Sequence, residues 1–203
     1  MRVRLSEADM QACRDWAGAV FPSLANWNYG TDGGEDRSGV MRYNQAIAGK
    51  MGEFAFARLC LHRGIDAAVS MMVSSTRGAY DGGDFLIGGC NIEVKTALPY
   101  ARRLMIPKHE AVCSNVFVFA NCSMHNENTW KRSDFTNEIV LVGWCGSQNI
   151  VSDARLVLTG HEIPNANGTV TTDTFILDVE YLYNDFTLLT DSLLAFVQEA
   201  AQA

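Results

Sequence analysis

The sequence predicts an α/β domain, and three observations carry that prediction. Two short runs, Phe85-Leu86-Ile87 and Cys90-Asn91-Ile92-Glu93-Val94-Lys95, have apolar residues at alternate positions about Gly88-Gly89. That is the signature of a β-hairpin on a two-residue loop. Residues 44–62 place Ala46, Ile47, Met51, Phe54, Ala55, Leu59 and Cys60 on one broad helical stripe, with Gly64 as the stop. Residues 115–121 and 138–145 are apolar runs of the length and composition of central strands.

The remaining elements follow in chain order. Ser6 and Asp9 have capping spacing for a helix that would run to Val20 and stop at Phe21-Pro22. The segment 26–39, rich in Gly and Asp, reads as a loop: a connector by preference, a substrate flap as the other reading. Residues 65–73 look like a strand leading into a turn-rich stretch that holds Arg77 and Asp81. The polar insert 125–137, with Lys131-Arg132 as a minor basic spot, reads as an exposed turn. Beyond it, 155–158 and 169–179 suggest strands around the turn 164–168, and Thr190 would cap a terminal helix with Leu193, Leu194, Phe196, Val197 and Ala200 as its apolar set. The chain divides by character into 1–43 (helix and Gly-rich loop), 44–150 (core) and 151–203 (an extension packed on the core).

Composition narrows the functional classes. A chain of 203 residues, 48% of them hydrophobic, can bury a full core, so nothing need staple it. The six cysteines include no C-x-x-C pair and no zinc-like spacing to a histidine, so reduced and mostly buried thiols are expected. No apolar run approaches the roughly 18–20 residues of a membrane span, and Met1-Arg2-Val3-Arg4 leads into an acidic helix start rather than a signal peptide, so a cytoplasmic protein is expected. The net charge of −7 argues against coating duplex DNA by bulk charge, although a local basic patch remains compatible with it.

The chemistry concentrates at the hairpin. Counting outward from Gly88-Gly89 pairs Ile87 with Cys90, Leu86 with Asn91, Phe85 with Ile92 and Asp84 with Glu93. Phe85, Ile87, Cys90, Ile92 and Val94 then share an apolar face, while Asp84, Glu93 and Lys95 share the other. Directly opposed carboxylates repel by roughly 3 kcal/mol at an effective dielectric near 20. A fold avoids that arrangement unless a cation sits between them, and hard divalent ions such as Mg²⁺ favour such oxygens. Glu-x-Lys alone would be a solvated strand face; the opposed aspartate favours a site. Asp84 is preferred over Asp81, which precedes Gly82-Gly83 and lies off the hairpin. Glu53, bounded by Gly52 and small alanines, has room for close approach, although alone it would read as an exposed glutamate paired with Lys50. After Thr96 comes the densest basic stretch, Arg102, Arg103, Lys108 and His109, with Tyr100 interleaved; phosphate contact and a solvated loop are equal readings of it.

A helix with Glu53, a strand, a strand opened by Asp84, a strand with Glu93-Val94-Lys95, a basic connector and two apolar strands together resemble the PD-(D/E)XK nuclease superfamily over residues 44–145. The pattern is most similar to its Holliday-junction resolvases and phage exonucleases, although Gly83 stands where a proline usually precedes the first aspartate. The resemblance implies a restriction-endonuclease-like αβββαβ core: a mixed central sheet flanked by helices, here with an N-terminal helix and a C-terminal α+β extension. It implies a Mg²⁺-dependent deoxyribonuclease, with Mn²⁺ as a substitute and an endonuclease as the expected type. Asp84, Glu93 and Lys95 would be catalytic. Glu53, Asp84, Glu93 and the Val94 carbonyl would surround the metal, with Thr96 a weak support. Arg102, Arg103 and Lys108 would hold the DNA backbone, and a homodimer is expected if both strands are cut together. A non-catalytic protein-binding or inhibitory module on the same scaffold, and a metal-dependent RNA hydrolase, are the alternatives.

Overall fold

A computed structural model describes residues 1–24, 39–71, 83–97, 101–124, 135–163 and 169–202, with the side chains of 21–24 and 39–42 left out. The elements are β1 (Arg2–Arg4), α1 (Glu7–Leu24), α2 (Gly39–His62), β2 (Phe85–Ile87), β3 (Cys90–Ala97), β4 (Arg103–Pro107), α3 (Lys108–Ala111), β5 (Val116–Met124), β6 (Phe135–Gly146), α4 (Ser147–Asp153), β7 (Arg155–Val157), β8 (Thr174–Asp178) and α5 (Phe186–Ala200). A five-stranded sheet has the order β1-β6-β5-β3-β2, and a three-stranded sheet the order β4-β8-β7. The larger sheet is mixed. β3 and β5 run parallel, while β2–β3, β5–β6 and β1–β6 are antiparallel.

Strand alternation explains how one sheet serves two cores. On β5, Val118, Ala120 and Cys122 enter a cluster with Ile47, Met51, Ala55 and Phe56 of α2, Cys13 and Ala17 of α1, and Phe186, Leu189 and Leu193 of α5. The intervening Phe117 and Phe119 point the other way, into a cluster with Leu104 and Ile106 of β4, Ile150 of α4 and Leu177 of β8. The larger sheet therefore has α1, α2 and α5 on one face and the smaller sheet with α3 and α4 on the other, as period-two side chains allow.

Several expectations meet their physical limits here. The Ser6–Asp9 capping box forms, with the Ser6 N–H donating to Asp9 Oδ2 at 2.8 Å and the Asp9 N–H donating to Ser6 Oγ at 3.2 Å. However, α1 continues through Pro22 to Leu24. α2 begins at Gly39, ahead of the expected Asn44. It ends as expected, with Gly64 at φ 76°. The strand expected over 65–73 does not form in its described part: 65–71 has no ladder partner, the Ile65 N–H donating instead to Cys60 O and Ser70 O accepting from Lys50. Only Thr174–Asp178 of the expected 169–179 strand is a strand; Thr169 makes an isolated bridge to Glu162. Thr190 is no cap. Asp185 caps α5 by accepting from the Thr187 and Leu188 N–H groups, and Thr190 lies buried one turn in, donating to Phe186 O at 3.0 Å. Phe186, Leu189 and Leu193 form the buried stripe of α5, while Phe196 and Val197 are exposed.

Of the expected turns and loop, residues 26–38, 74–82 (with Arg77 and Asp81), 125–134 (with Lys131 and Arg132) and 164–168 lie outside the described residues, whereas 135–137, expected at the end of an exposed turn, open β6 with Phe135 buried. All six cysteines are free; five are buried and Cys113 is exposed. No helix among the described residues is long and apolar enough to cross a membrane.

Candidate active site

The hairpin forms in the register counted from sequence: Phe85 with Ile92, Leu86 with Asn91 and Ile87 with Cys90. Gly88 (φ 56°) and Gly89 (φ 80°) both take the left-handed conformation that a tight hairpin turn needs. Phe85, Ile87, Cys90, Ile92 and Val94 are buried in the helix-side core, as the alternation requires.

Asp84 departs from the expected regular opposition to Glu93. The Asp84 N–H donates to Ile92 O at 2.8 Å, and its Oδ2 accepts from the Val94 N–H at 2.8 Å. The ladder therefore ends at Phe85, and Asp84 leans along the free edge of β3. Gly83 makes this bend possible. It sits at φ 116°, and a Cβ there would come within 2.8 Å of Ile92 O. The Val94 amide is thus engaged by the aspartate, which leaves its carbonyl as the atom for any ligand role.

Glu93 is buried and its Oε1 accepts from Lys95 Nζ at 2.6 Å. The Lys95 ammonium also lies 2.6 Å from Glu110 Oε2. Glu110 belongs to α3 and was not singled out from sequence. Glu53, on α2, is buried rather than exposed, and so is its partner Lys50: the ammonium donates to Glu53 Oε2 at 2.6 Å and to Ser70 O at 2.9 Å, and sits 4.2 Å from the centroid of the Trp16 ring. α2 approaches β3 through Gly52, where a Cβ would overlap Thr96 Oγ1 and come within 3.1 Å of Thr96 Cβ and 3.3 Å of Val94 Cγ1.

These groups feel one another electrically. Burial, then the Glu93 and Glu53 charges, push the Asp84 carboxyl well above its ordinary range, against the Val94 amide and Lys95. Burial pushes Glu53 up to about 7; Lys50 opposes this and Glu93 adds to it. For Lys95, burial favours the neutral amine, but Glu93 and Glu110 more than offset it and hold the group charged. The arrangement is a set of buried (Glu53, Glu93) and half-buried (Asp84, Glu110) oxygen donors around β3, interleaved with two lysines.

For Mg²⁺ the fit is one of donor chemistry. Every carboxylate of the set is a hard oxygen donor, and their mutual repulsion is what a divalent ion would relieve. As the side chains stand, no group of three or more His, Cys, Asp or Glu among the described residues converges closely enough to hold a metal ion. Lys50 and Lys95 supply the positive charge instead.

The basic stretch is more structured than a connector. Arg103 opens β4 and pairs with Asp178 on β8 (Nε to Oδ1 3.0 Å), and Lys108 lies 3.8 Å from Asp173. Arg102 is exposed just before β4. The sequence reading missed Glu110 and the burial of Lys50. Glu110 carries no local signal, since its partner comes from β3, whereas the Lys50–Glu53 spacing of three was a visible clue to a helical ion pair. Compared with family models, with curated proteins and with solved structures, the chain matches none.

Proposed function

We propose that the chain is a metal-dependent nuclease that hydrolyses DNA phosphodiester bonds, built on a restriction-endonuclease-like core. The observation that carries the reading is the mutually repelling acid group Asp84, Glu93 and Glu53 at the edge of β3, with the charged Lys95 beside it. A mixed sheet in which the Asp84 hairpin precedes a parallel β3–β5 pair supports the same scaffold.

Asp84, Glu93 and the Val94 carbonyl would hold Mg²⁺, with Glu53 completing the shell directly or through water. An ion bound there would supply an activated water and neutralise charge on the scissile phosphate. Lys95 is a compact cation with three donors, and it orients the attacking water or meets the charge that builds on the phosphoryl oxygens. Arg102, Arg103 and Lys108 position the DNA backbone without reading bases. Because the net charge is −7, that contact is local. The test is cleavage of supercoiled, linear, single-stranded and branched DNA, with RNA alongside, in Mg²⁺ or Mn²⁺. Metal-dependent cutting of DNA supports the reading; cutting of RNA alone redirects it to an RNA hydrolase.

The second reading is a non-catalytic protein-binding or inhibitory module. It is favoured by the absence of a converged three-ligand set among the described residues and by the pairing of Arg103 and Lys108 with Asp178 and Asp173. No cleavage of any substrate, with metal shown to bind, selects it.

A further inference from the structure

Resting on the nuclease reading, we infer that Glu110 is the positioning residue for Lys95: it anchors the ammonium from the smaller-sheet side, so that Lys95 keeps its place when Glu93 turns to the metal. Among the described residues, Lys95 Nζ has two carboxylate oxygens at 2.6 Å, Glu93 Oε1 and Glu110 Oε2. They come from opposite sources. Glu93 is two residues away on the same strand, whereas Glu110 is on α3, the four-residue helix between β4 and β5.

A ligand role for Glu93 conflicts with full-time pairing to Lys95. Without a second anchor, a lysine losing that partner would swing on its flexible four-carbon stem and lose the geometry that makes it useful. Glu110 provides the anchor, and it is itself held. The Glu110 side chain is only 16% exposed. α3 follows directly on β4, which is laddered to β8 from Arg103–Asp178 to Pro107–Thr174. The Lys108 N–H donates to Asp173 O at 2.8 Å at the start of the helix. Ala111, the next residue, is buried in the cluster between the two sheets. The C-terminal strands β7 and β8 thereby contribute to the site without lending it a side chain: they fix the helix that fixes the lysine.

The experiment compares the full chain with Glu110→Gln, Glu110→Ala and Glu110→Asp, using isotope-labelled lysine ammonium signals assigned with Lys95→Met, with and without Mg²⁺, alongside cleavage kinetics. The parent is expected to keep a sharp Lys95 ammonium signal at saturating Mg²⁺. Glu110→Gln and Glu110→Ala should lose it, and Glu110→Asp should retain it in part. For cleavage, kcat should fall by about 10²-fold in Glu110→Gln, the scale expected when a reacting group is misplaced. KM should stay within about twofold, since DNA binding is untouched, and Glu110→Asp should recover most of the rate. An unchanged Lys95 signal in Glu110→Gln, or cleavage at the parent rate, overturns the assignment. Should Glu110→Gln and Glu110→Ala fail to fold, Glu110→Asp decides: loss of rate with a parent-like Lys95 signal also overturns it. If the parent cuts nothing, the nuclease reading falls by itself, and the ammonium signals still decide whether Glu110 anchors Lys95.

Discussion

Two lysines neutralise acids around β3, and they are built for different work. Lys50 is sealed: its side chain is 5% exposed, roofed by Trp16, and shared between Glu53 and a backbone carbonyl. Lys95 is reachable, at 26%, and lies between two carboxylates from different elements. A fully enclosed pair satisfied by neighbours stabilises a structure only while both members remain, whereas a cation with residual solvent access can meet a ligand. Lys50 is thus a structural counter-charge, and Lys95 is the one suited to chemistry.

The largest expected effect separates them by readout. Glu93→Ala and Lys95→Ala should each lower cleavage by about 10³-fold or more, as removal of transition-state charge stabilisation does, and Asp84→Ala should match them. Circular dichroism should show the fold retained. Parent-level cutting by Glu93→Ala would end the mechanism.

Next comes Lys50→Met. It strands Glu53 in the core and should cost about 3–5 kcal/mol in chemical denaturation, the usual penalty for breaking a buried pair. Lys95→Met should cost less, because the Lys95 side chain is 26% exposed against 5% for Lys50, so solvent already screens the pair that is lost. Equal losses would erase the distinction between the two lysines.

Glu53 also makes the sealed pair sensitive to pH. Its folded-state value, about 7, lies above its ordinary 4.5, so between those values the folded chain binds more protons than the unfolded one. Its contribution is fully present below about 4.5 and is lost as pH rises through about 7. Glu53→Gln, measured in a chelator, should therefore gain on the parent as pH rises from 5 to 8, by an amount on the order of 3 kcal/mol at most. A pH-independent difference would mean that Lys50 fully compensates the burial. A smaller effect is expected from Gly52→Ala, which presses on Thr96 and Val94 and should cost about 1–3 kcal/mol. Adding Thr96→Ala should return part of that loss, since the removed hydroxyl is the nearest obstacle. The smallest is Arg102→Ala, which should leave stability within about 0.5 kcal/mol. If Arg102 holds a phosphate, the same variant should flatten the salt dependence of DNA binding by about one unit of slope.

The hairpin register, the faces of β3 and the long helix α2 were legible because each is governed by local rules: a Gly-Gly turn, a period of two, a period near 3.6. The bend at Asp84 was not, because it depends on Gly83 packing against the Ile92 carbonyl rather than on alternation. Residues 65–71 misled because apolar content without a neighbouring edge makes no strand. Asp185 was passed over for Thr190, although aspartate, serine and threonine all cap; only the depth of Phe186 in the core fixes where α5 starts. The meeting of Glu110 with Lys95 and the pairing of β4 with β8, the latter joining positions about 70 residues apart, are tertiary facts that no local pattern encodes.

The turn at Gly88 carries one more consequence. A Cβ there would stand 2.7 Å from the backbone of Phe196 and Val197, so the hairpin tip is seated against the last turns of α5. During synthesis, Asp84 through Lys95 emerge long before the segment that seats them. A nascent chain therefore holds Asp84, Glu93 and Lys95 while its hairpin is still unclasped, and synthesis of α5 sets the moment at which the tip can be seated.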